Sequence, residues 1–321
     1  KYAVQIRNPE DIVEELNKAY HIATTGRRGP VLIDLPMNIQ RSEVENPVYD
    51  MVFEDKHTDA AAAQQAADKI LEALEEAKRP VIMLGHGVDS YASQQKLIRF
   101  AQKRQIPIIT SVLAKSVLGY EHPLNFGCIG GAYGHRYANM IANAKSDLLL
   151  CFGISMCTRQ IGTKVHEFAK GAKIIRVDID QYNLQRDIHE NGENELKLQA
   201  ETGAVINCLA KVSCPEPEGI SEWLNICNEI KENLQAVDDN TPERYPNRMI
   251  ADLSDMLTDT SAIAVDVGQH MVWSYQSFKN HEGQKLLFSG GHGAMGYGLP
   301  AAIGAYYATG KPTACICGDG A

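Results

Sequence analysis

Three glycine-bearing turns fall within residues 266–321, each after an apolar run that reads as a strand. The first is Asp266-Val267-Gly268-Gln269-His270. The second runs Ser289-Gly290-Gly291-His292-Gly293-Ala294-Met295-Gly296-Tyr297-Gly298, with five glycines ahead of a helix, and the third is Gly318-Asp319-Gly320-Ala321. Open parallel sheets bind ligands outside the carboxyl ends of their strands. Backbone N–H groups at helix starts hold phosphate where glycine permits close approach. An Asp in such a turn supplies a hard oxygen for Mg²⁺, which in turn holds phosphate oxygens. One such turn is an ordinary tight connection; three at successive strand ends point to a Mg²⁺-diphosphate site.

The elements that must position these turns form a βα pattern from Pro246. Helices are expected at 248–257, 271–278 and 299–308, and strands at 262–267, 287–288 and 313–317. Upstream, 58–213 alternates helices (60–78, 90–104, 135–144, 203–212) with apolar strands (81–84, 106–110, 148–152, 173–177), and a short helix is expected at 165–169. That alternation implies βαβ crossovers and a parallel sheet covered on both faces. Residues 214–245 are acidic and carry three prolines around a helical stretch at 223–234, the pattern of a linker. At the start, Asn8 and Pro9 open a helix over 8–24 with Ile12, Leu16, Ala19 and Ala23 as its apolar stripe. A short buried strand is expected at 30–36 and a polar linker at 37–57. The fold class is therefore α/β: a doubly wound central domain over 58–213 and a partial α/β domain over 246–321.

Composition narrows the function classes. At 44% hydrophobic and 22% charged residues over 321, the chain has ordinary globular usage, which excludes disorder as a description of the whole. A net charge of −9 with no long Lys/Arg run argues against nucleic-acid and anionic-membrane partners. No apolar stretch is long enough for a membrane span, and the N-terminus has no signal-peptide apolar region. The eight cysteines are scattered, mostly in apolar runs, as buried thiols of a reducing cytoplasmic compartment are. Cys315-x-Cys317 has the wrong spacing for a zinc knuckle, and its two side chains are expected on one packed face. Trp223 and the Tyr306-Tyr307 pair are expected to serve helix packing.

Gly290-Gly-His-Gly-Ala-Met-Gly-Tyr-Gly-Leu-Pro-Ala-Ala-Ile-Gly304, with Val-Gly-Gln-His before it and Gly-Asp-Gly after it, resembles the diphosphate-binding domain of thiamine-diphosphate enzymes, most closely their acetolactate synthase branch. Gly26-Arg-Arg-Gly-Pro-Val-Leu-Ile-Asp-Leu-Pro36 is similar to the last strand of that family's pyrimidine-binding domain, which would make 1–57 its end and linker, and 60–212 is similar to its central domain. The resemblance implies a 2-oxo acid substrate and a cofactor that acts as electron sink for decarboxylation. It implies that Gly268, Gln269 and His270 approach the diphosphate. Gly291, Gly293 and Ala294 would line the cofactor, with Gly293 offering backbone to the aminopyrimidine. Met295 would sit under the cofactor and bend it. Asp319 would ligate Mg²⁺, with Gly318, Gly320 and Ala321 around the phosphates. It further implies a homodimer or homotetramer with the active site between subunits. The chain lacks an initiator Met and stops on a Gly-Asp-Gly turn. A piece of a longer protein is therefore expected, inactive by itself, without the family's aminopyrimidine-activating Glu and the Asn that completes the Mg²⁺ shell.

Departures from the family pattern carry their own expectations. His292 stands where acetolactate synthases usually have Leu; it is either a substrate ligand or acid–base group, a role open to imidazole, or a bond to neighbouring backbone. Arg28 replaces the family's usual Pro. Gly153-Ile-Ser-Met-Cys-Thr-Arg-Gln-Ile-Gly162 aligns with a flavin-contacting segment, but of its two arginines and acidic pair only Arg159 remains, which sets FAD binding against an empty site. Gly85-His-Gly87 and Gly127–Gly134 could cradle a nucleotide diphosphate, with Asp178 and Asp180 meeting ribose or adenine; the alternative is a structural domain. The rival functions are a non-condensing decarboxylase or lyase of the same superfamily and a non-catalytic FAD- or ADP-binding module.

Overall fold

The structure, a computed structural model, describes residues 2–45, 47, 49, 53, 59–213 and 220–319. The chain divides into two units, residues 1–59 and 60–321.

In the first unit, β1 (Tyr2–Gln5) and β2 (Val31–Asp34) pair in parallel across α1 (Ile12–Thr24), and α2 (Met37–Gln40) follows. The expected helix over 8–24 opens as a single 3₁₀ turn, Pro9–Asp11, because the Asn8 side chain makes no capping bond. Of its apolar stripe, Ala19 is buried whereas Leu16 is exposed. The expected buried strand alternates instead between half-buried and exposed residues, with Leu32 facing outward. That is the pattern of a sheet with one covered face.

The second unit holds two parallel sheets. The larger is built from α3 (Ala60–Glu76), β3 (Pro80–Leu84), α4 (Tyr91–Arg104), β4 (Ile108–Thr110), β5 (Asn125–Cys128), α5 (Arg136–Asn139) with a π-helical turn over Met140–Lys145, and β6 (Leu148–Phe152). There follow α6 (Thr158–Ile161), β7 (Lys173–Asp178), α7 (Gln181–Gln185), β8 (Glu195–Gln199) and α8 (Thr202–Leu209). Its strand order is β5-β4-β3-β6-β7-β8, all parallel. The chain moves outward through β4 and β5, returns, and moves outward again through β7 and β8, so the direction reverses between β3 and β6. Pro-Val-Ile-Met-Leu and Leu-Leu-Leu-Cys-Phe form those two central strands because helices cover both faces, leaving no water for alternate polar residues. Ser90 caps α4 by accepting from the Ser93 N–H at 3.1 Å, and Gln105 closes it in the left-handed region.

The acidic stretch read as a linker contains α9 (Glu222–Asn233). Trp223, Leu224 and Cys227 join the core of the larger sheet, and the Trp223 indole donates to the Pro80 carbonyl oxygen at 2.9 Å. Trp223 thus packs as expected. Beyond it, α10 (Pro246–Met256), β9 (Ala262–Val265), α11 (Gln269–Ser277), β10 (Lys285–Phe288), α12 (Gly298–Thr309) and β11 (Thr313–Ile316) form a three-stranded parallel sheet, ordered β10-β9-β11. Tyr306 and Tyr307 do not pack inward: both are exposed on α12, ring against ring. Cys315 is half-buried and Cys317 exposed, so the expected shared packed face is absent; the strand has ended by Cys317. The described cysteines are free thiols, and Cys214 lies outside the described residues. No helix among the described residues is long and apolar enough to cross a membrane.

Candidate active site

Strand β9, buried throughout, lies between β10 and β11 in register, so the three glycine turns leave the same sheet edge side by side. The turns are joined by Asp266, whose carboxylate is buried (2% exposed). Its Oδ1 accepts from the Val267 N–H at 2.7 Å and its Oδ2 from the Gly296 N–H at 3.1 Å. Gly298 opens α12 directly against it: a Cβ there would lie 3.0 Å from the Asp266 backbone nitrogen and 3.1 Å from the Cys315 sulfur. Asp266 is the residue that sequence reasoning passed over. Its only local signal is an acid immediately after four apolar residues. Asp266→Ala removes two bonds to a charged acceptor and should cost about 2–4 kcal/mol of stability by urea denaturation.

His270, in the first turn of α11, fills the gap between the first and third turns. A Cβ at Gly268 would lie 2.6 Å from its Cε1, and one at Gly318 3.5 Å from the same atom. Its Nε2 is buried without a hydrogen-bond partner. Its carbonyl accepts from the Ser274 hydroxyl at 2.7 Å, inside the helix. The orphaned imidazole nitrogen thus lies beside two glycine backbones, a buried polar atom of the kind that native structures usually pair. Gln269 is exposed beside it.

In the second turn, Gly293 and Gly296 hold φ of +77° and +78°, which only glycine adopts freely. Ala294 donates its N–H to the Ser289 hydroxyl at 3.1 Å. This geometry presents Gly291, His292, Ala294 and Met295 outward; Met295 is 84% exposed. Leu113, from the 3₁₀ segment Val112–Val117 after β4, reaches this rim, 2.9 Å from where a Gly290 Cβ would stand. Asp319 is exposed after β11, a carboxylate able to ligate a cation; Gly320 and Ala321 lie outside the described residues. No cluster of three or more metal-ligating side chains occurs among the described residues. Burial raises the Cys315 thiol, with Cys317 and Asp266 adding to the effect.

The expected flavin residues belong to elements of the larger sheet. Arg159 is exposed on α6. Its charge opposes the burial that pushes the Tyr275 phenol up. Asp178 ends β7 and accepts from the Asp180 N–H at 2.8 Å and the Asn183 amide at 3.2 Å, both within its own loop. In the two central glycine segments several amides bond to backbone carbonyls. Gly85 donates to Phe152 and Gly87 to Gly153, both at 2.9 Å, and Gly134 donates to Gly130 at 3.0 Å. At the β3/β6 reversal, the point where a nucleotide would enter, Gly85 and Gly87 lie against Gly153 backbone to backbone. The glycines there serve close packing.

A parallel sheet that ends in three linked glycine turns, with an orphaned imidazole and a carboxylate at its rim, defines a diphosphate-binding α/β domain behind a doubly wound one. Comparison with known families gives the same pairing. Residues 67–209 match the thiamine pyrophosphate enzyme central domain, and 266–321 match that family's C-terminal TPP binding domain. The chain belongs to the thiamine pyrophosphate enzymes. Among curated proteins it is similar to a probable acetolactate synthase large subunit of Methanocaldococcus jannaschii (33% identical over 338 residues, all of this chain and 55% of the relative). It is likewise similar to the acetolactate synthase isozyme 1 large subunit of Escherichia coli (31%, all of this chain and 55% of the relative) and the acetolactate synthase large subunit of Corynebacterium glutamicum (33%, all of this chain and 51% of the relative). The chain spans about half the length of the curated relatives it matches.

Proposed function

We propose that these residues belong to a thiamine-diphosphate- and Mg²⁺-dependent enzyme that decarboxylates a 2-oxo acid and condenses the product with a second one, as acetolactate synthases do. The observation that carries the reading is the His270 cradle: a buried nitrogen without a partner, between the glycines of two turns at one sheet edge. When bound, thiamine diphosphate supplies the electron sink for loss of CO₂. The chain's own residues do the holding. Gly268, Gln269, His270 and Gly318 would face the diphosphate, and Asp319 would ligate the Mg²⁺. Asp266 fixes the first and second turns at one spacing. Gly291, Gly293 and Ala294 line the ring end, and Met295 is the apolar support under it. His292, exposed at the tip of the turn, faces the substrate side as a ligand or proton carrier. The acting form is a homodimer or homotetramer in the cytoplasm.

Met295 gives a discriminating test. A support that works by volume tolerates Leu and not Ala. In the full-length enzyme, Met295→Ala should lose most CO₂ release from pyruvate while Met295→Leu keeps much of it; equal turnover of the two removes Met295 from the mechanism. Product analysis with pyruvate alone separates condensation from simple decarboxylation or lyase chemistry.

A second reading, that the central domain holds FAD, is supported only by Arg159. Asp178 and the amides at the β3/β6 reversal are already engaged. The protein should therefore purify colourless. A yellow preparation whose flavin spectrum disappears in Arg159→Ala would reverse that.

A further inference from the structure

Between the ends of α9 and α11 and one face of α10 lies a cavity of about 500 Å³, a size that suits a small molecule. It stands at the carboxyl end of α11, whereas the first glycine turn meets that helix at its start. Arg248, Ala251, Asp252 and Asp255 line it from α10 at the spacing that shares one helix face. Tyr120, His135 and Tyr137 form its inner wall.

Tyr137 is only 4% exposed, yet its hydroxyl makes no hydrogen bond among the described residues. Unlike the His270 Nε2, that oxygen is not sealed: it keeps surface on water-sized space, and Tyr137 lines both this cavity and a smaller one of about 170 Å³ beside it. Tyr120, half-buried on the same cavity, also has a hydroxyl without a partner. Burial pushes both phenols up, so both stay protonated. The His135 ring lies 4.8 Å from that of Tyr137, and its Nδ1 accepts from the Cys128 N–H at 2.9 Å. Burial, helped by the charge of Lys115, holds this imidazole well below its usual pKa and so neutral. The inner wall is therefore uncharged, with two phenol oxygens open to a partner.

The charge lies at the rim. Glu232, Asp238, Asp239, Asp252 and Asp255 stand there against two cations, Arg248 and Lys279. Both cations are already paired: the Arg248 Nε donates to Asp252 and the Lys279 Nζ to Asp255, each at 3.1 Å. Asp238 accepts from the Asn240 N–H at 3.0 Å and the Thr241 hydroxyl at 2.8 Å, which leaves Glu232 and Asp239 exposed and without a pairing cation. Such a rim repels anions. A bare metal ion finds no cluster of three ligating side chains among the described residues. An aliphatic chain with an ammonium at each end meets both conditions: one end reaches the phenol oxygens and the other the rim, with Val237 and Ala251 beside its methylenes.

We infer that this cavity is a second ligand site, for an aliphatic diammonium ion whose inner N–H groups donate to the Tyr137 and Tyr120 hydroxyls and whose outer end meets Glu232 and Asp239. None of the glycine-turn residues lines it, so it stands or falls independently of the cofactor reading.

Calorimetric titration of 1,4-diaminobutane into the protein should show saturable binding at one site, and 1,4-butanediol, its neutral counterpart, should bind at least about tenfold more weakly. Tyr137→Phe deletes one oxygen and should weaken the diamine about tenfold at an unchanged melting temperature, because that hydroxyl has no bond within the protein to lose. Should Tyr137→Phe fail to fold, Glu232→Gln combined with Asp239→Asn, both at the exposed rim, must weaken the diamine about two- to fivefold. Equal affinity for diamine and diol, diamine binding untouched by these substitutions, equal competition by Mg²⁺ at the same concentration, or no saturable binding of the diamine would overturn the inference.

Discussion

Gly85→Ala should leave no cooperatively folded central domain. A Cβ at Gly85 would lie 2.0 Å from the Gly153 carbonyl oxygen and 2.5 Å from both its carbonyl carbon and the Ile154 Cα. All three are backbone atoms of the segment that follows β6, so no side-chain rotation relieves the clash. Relief requires β3 and β6 to part. These strands pair along their whole length, from Pro80 with Leu148 to Leu84 with Phe152, and every residue of β6 is buried. The expected cost exceeds about 4 kcal/mol, in the range that only a few mechanisms reach and that marginally stable domains do not survive. Gly171→Ala is the matched control: it is exposed, with nothing within 4 Å of its Cβ position, and should change stability by less than about 0.5 kcal/mol. Urea denaturation of both variants reads the difference; a Gly85→Ala transition matching that of the control would show that the two loops are not locked together.

Much of this architecture was legible in the residues. The continuous apolar runs at β3 and β6 marked strands covered on both faces, and Ser90 marked the start of α4. The three glycine turns were legible as turns at strand ends, because the left-handed backbone at Gly293 and Gly296 and the close approach at Gly298 demand glycine. The missed elements share a physical cause. Strand β5 carries Gly127 in its middle, and β8 is an edge strand reading Glu-Leu-Lys-Leu-Gln, whose polar alternation is weak over five residues. Helices α6 and α7 are too short for a 3.6-residue period to register.

Long-range bonds were hidden as well. The partner of Asp266 is thirty residues away at Gly296. Arg176 is buried in β7, 3.7 Å from Glu195 and donating to the Arg186 carbonyl at 2.6 Å and to that of Asn183, which organises the loop around α7. Nothing in Lys-Ile-Ile-Arg-Val-Asp shows that its arginine points inward. The exposure of Tyr306 and Tyr307 went unread for the converse reason: an apolar residue pair on a helix looks the same whether or not something covers it.

The central claim is that the turns at the ends of β9, β10 and β11 bind a diphosphate through a cation held by Asp319. Phosphate oxygens and the Asp319 carboxylate are all anionic and repel one another unless a divalent cation stands between them. Calorimetric titration of thiamine diphosphate into the protein, with and without Mg²⁺, into wild type and Asp319→Ala, tests this directly. Binding should require Mg²⁺, and Asp319→Ala should weaken it at least about a hundredfold, since a lost ligand costs no less than the lost outer-shell partners that weaken metal sites by 10–100-fold. Binding of equal strength in Asp319→Ala, or in the absence of Mg²⁺, would contradict the assignment and move the cofactor away from these turns.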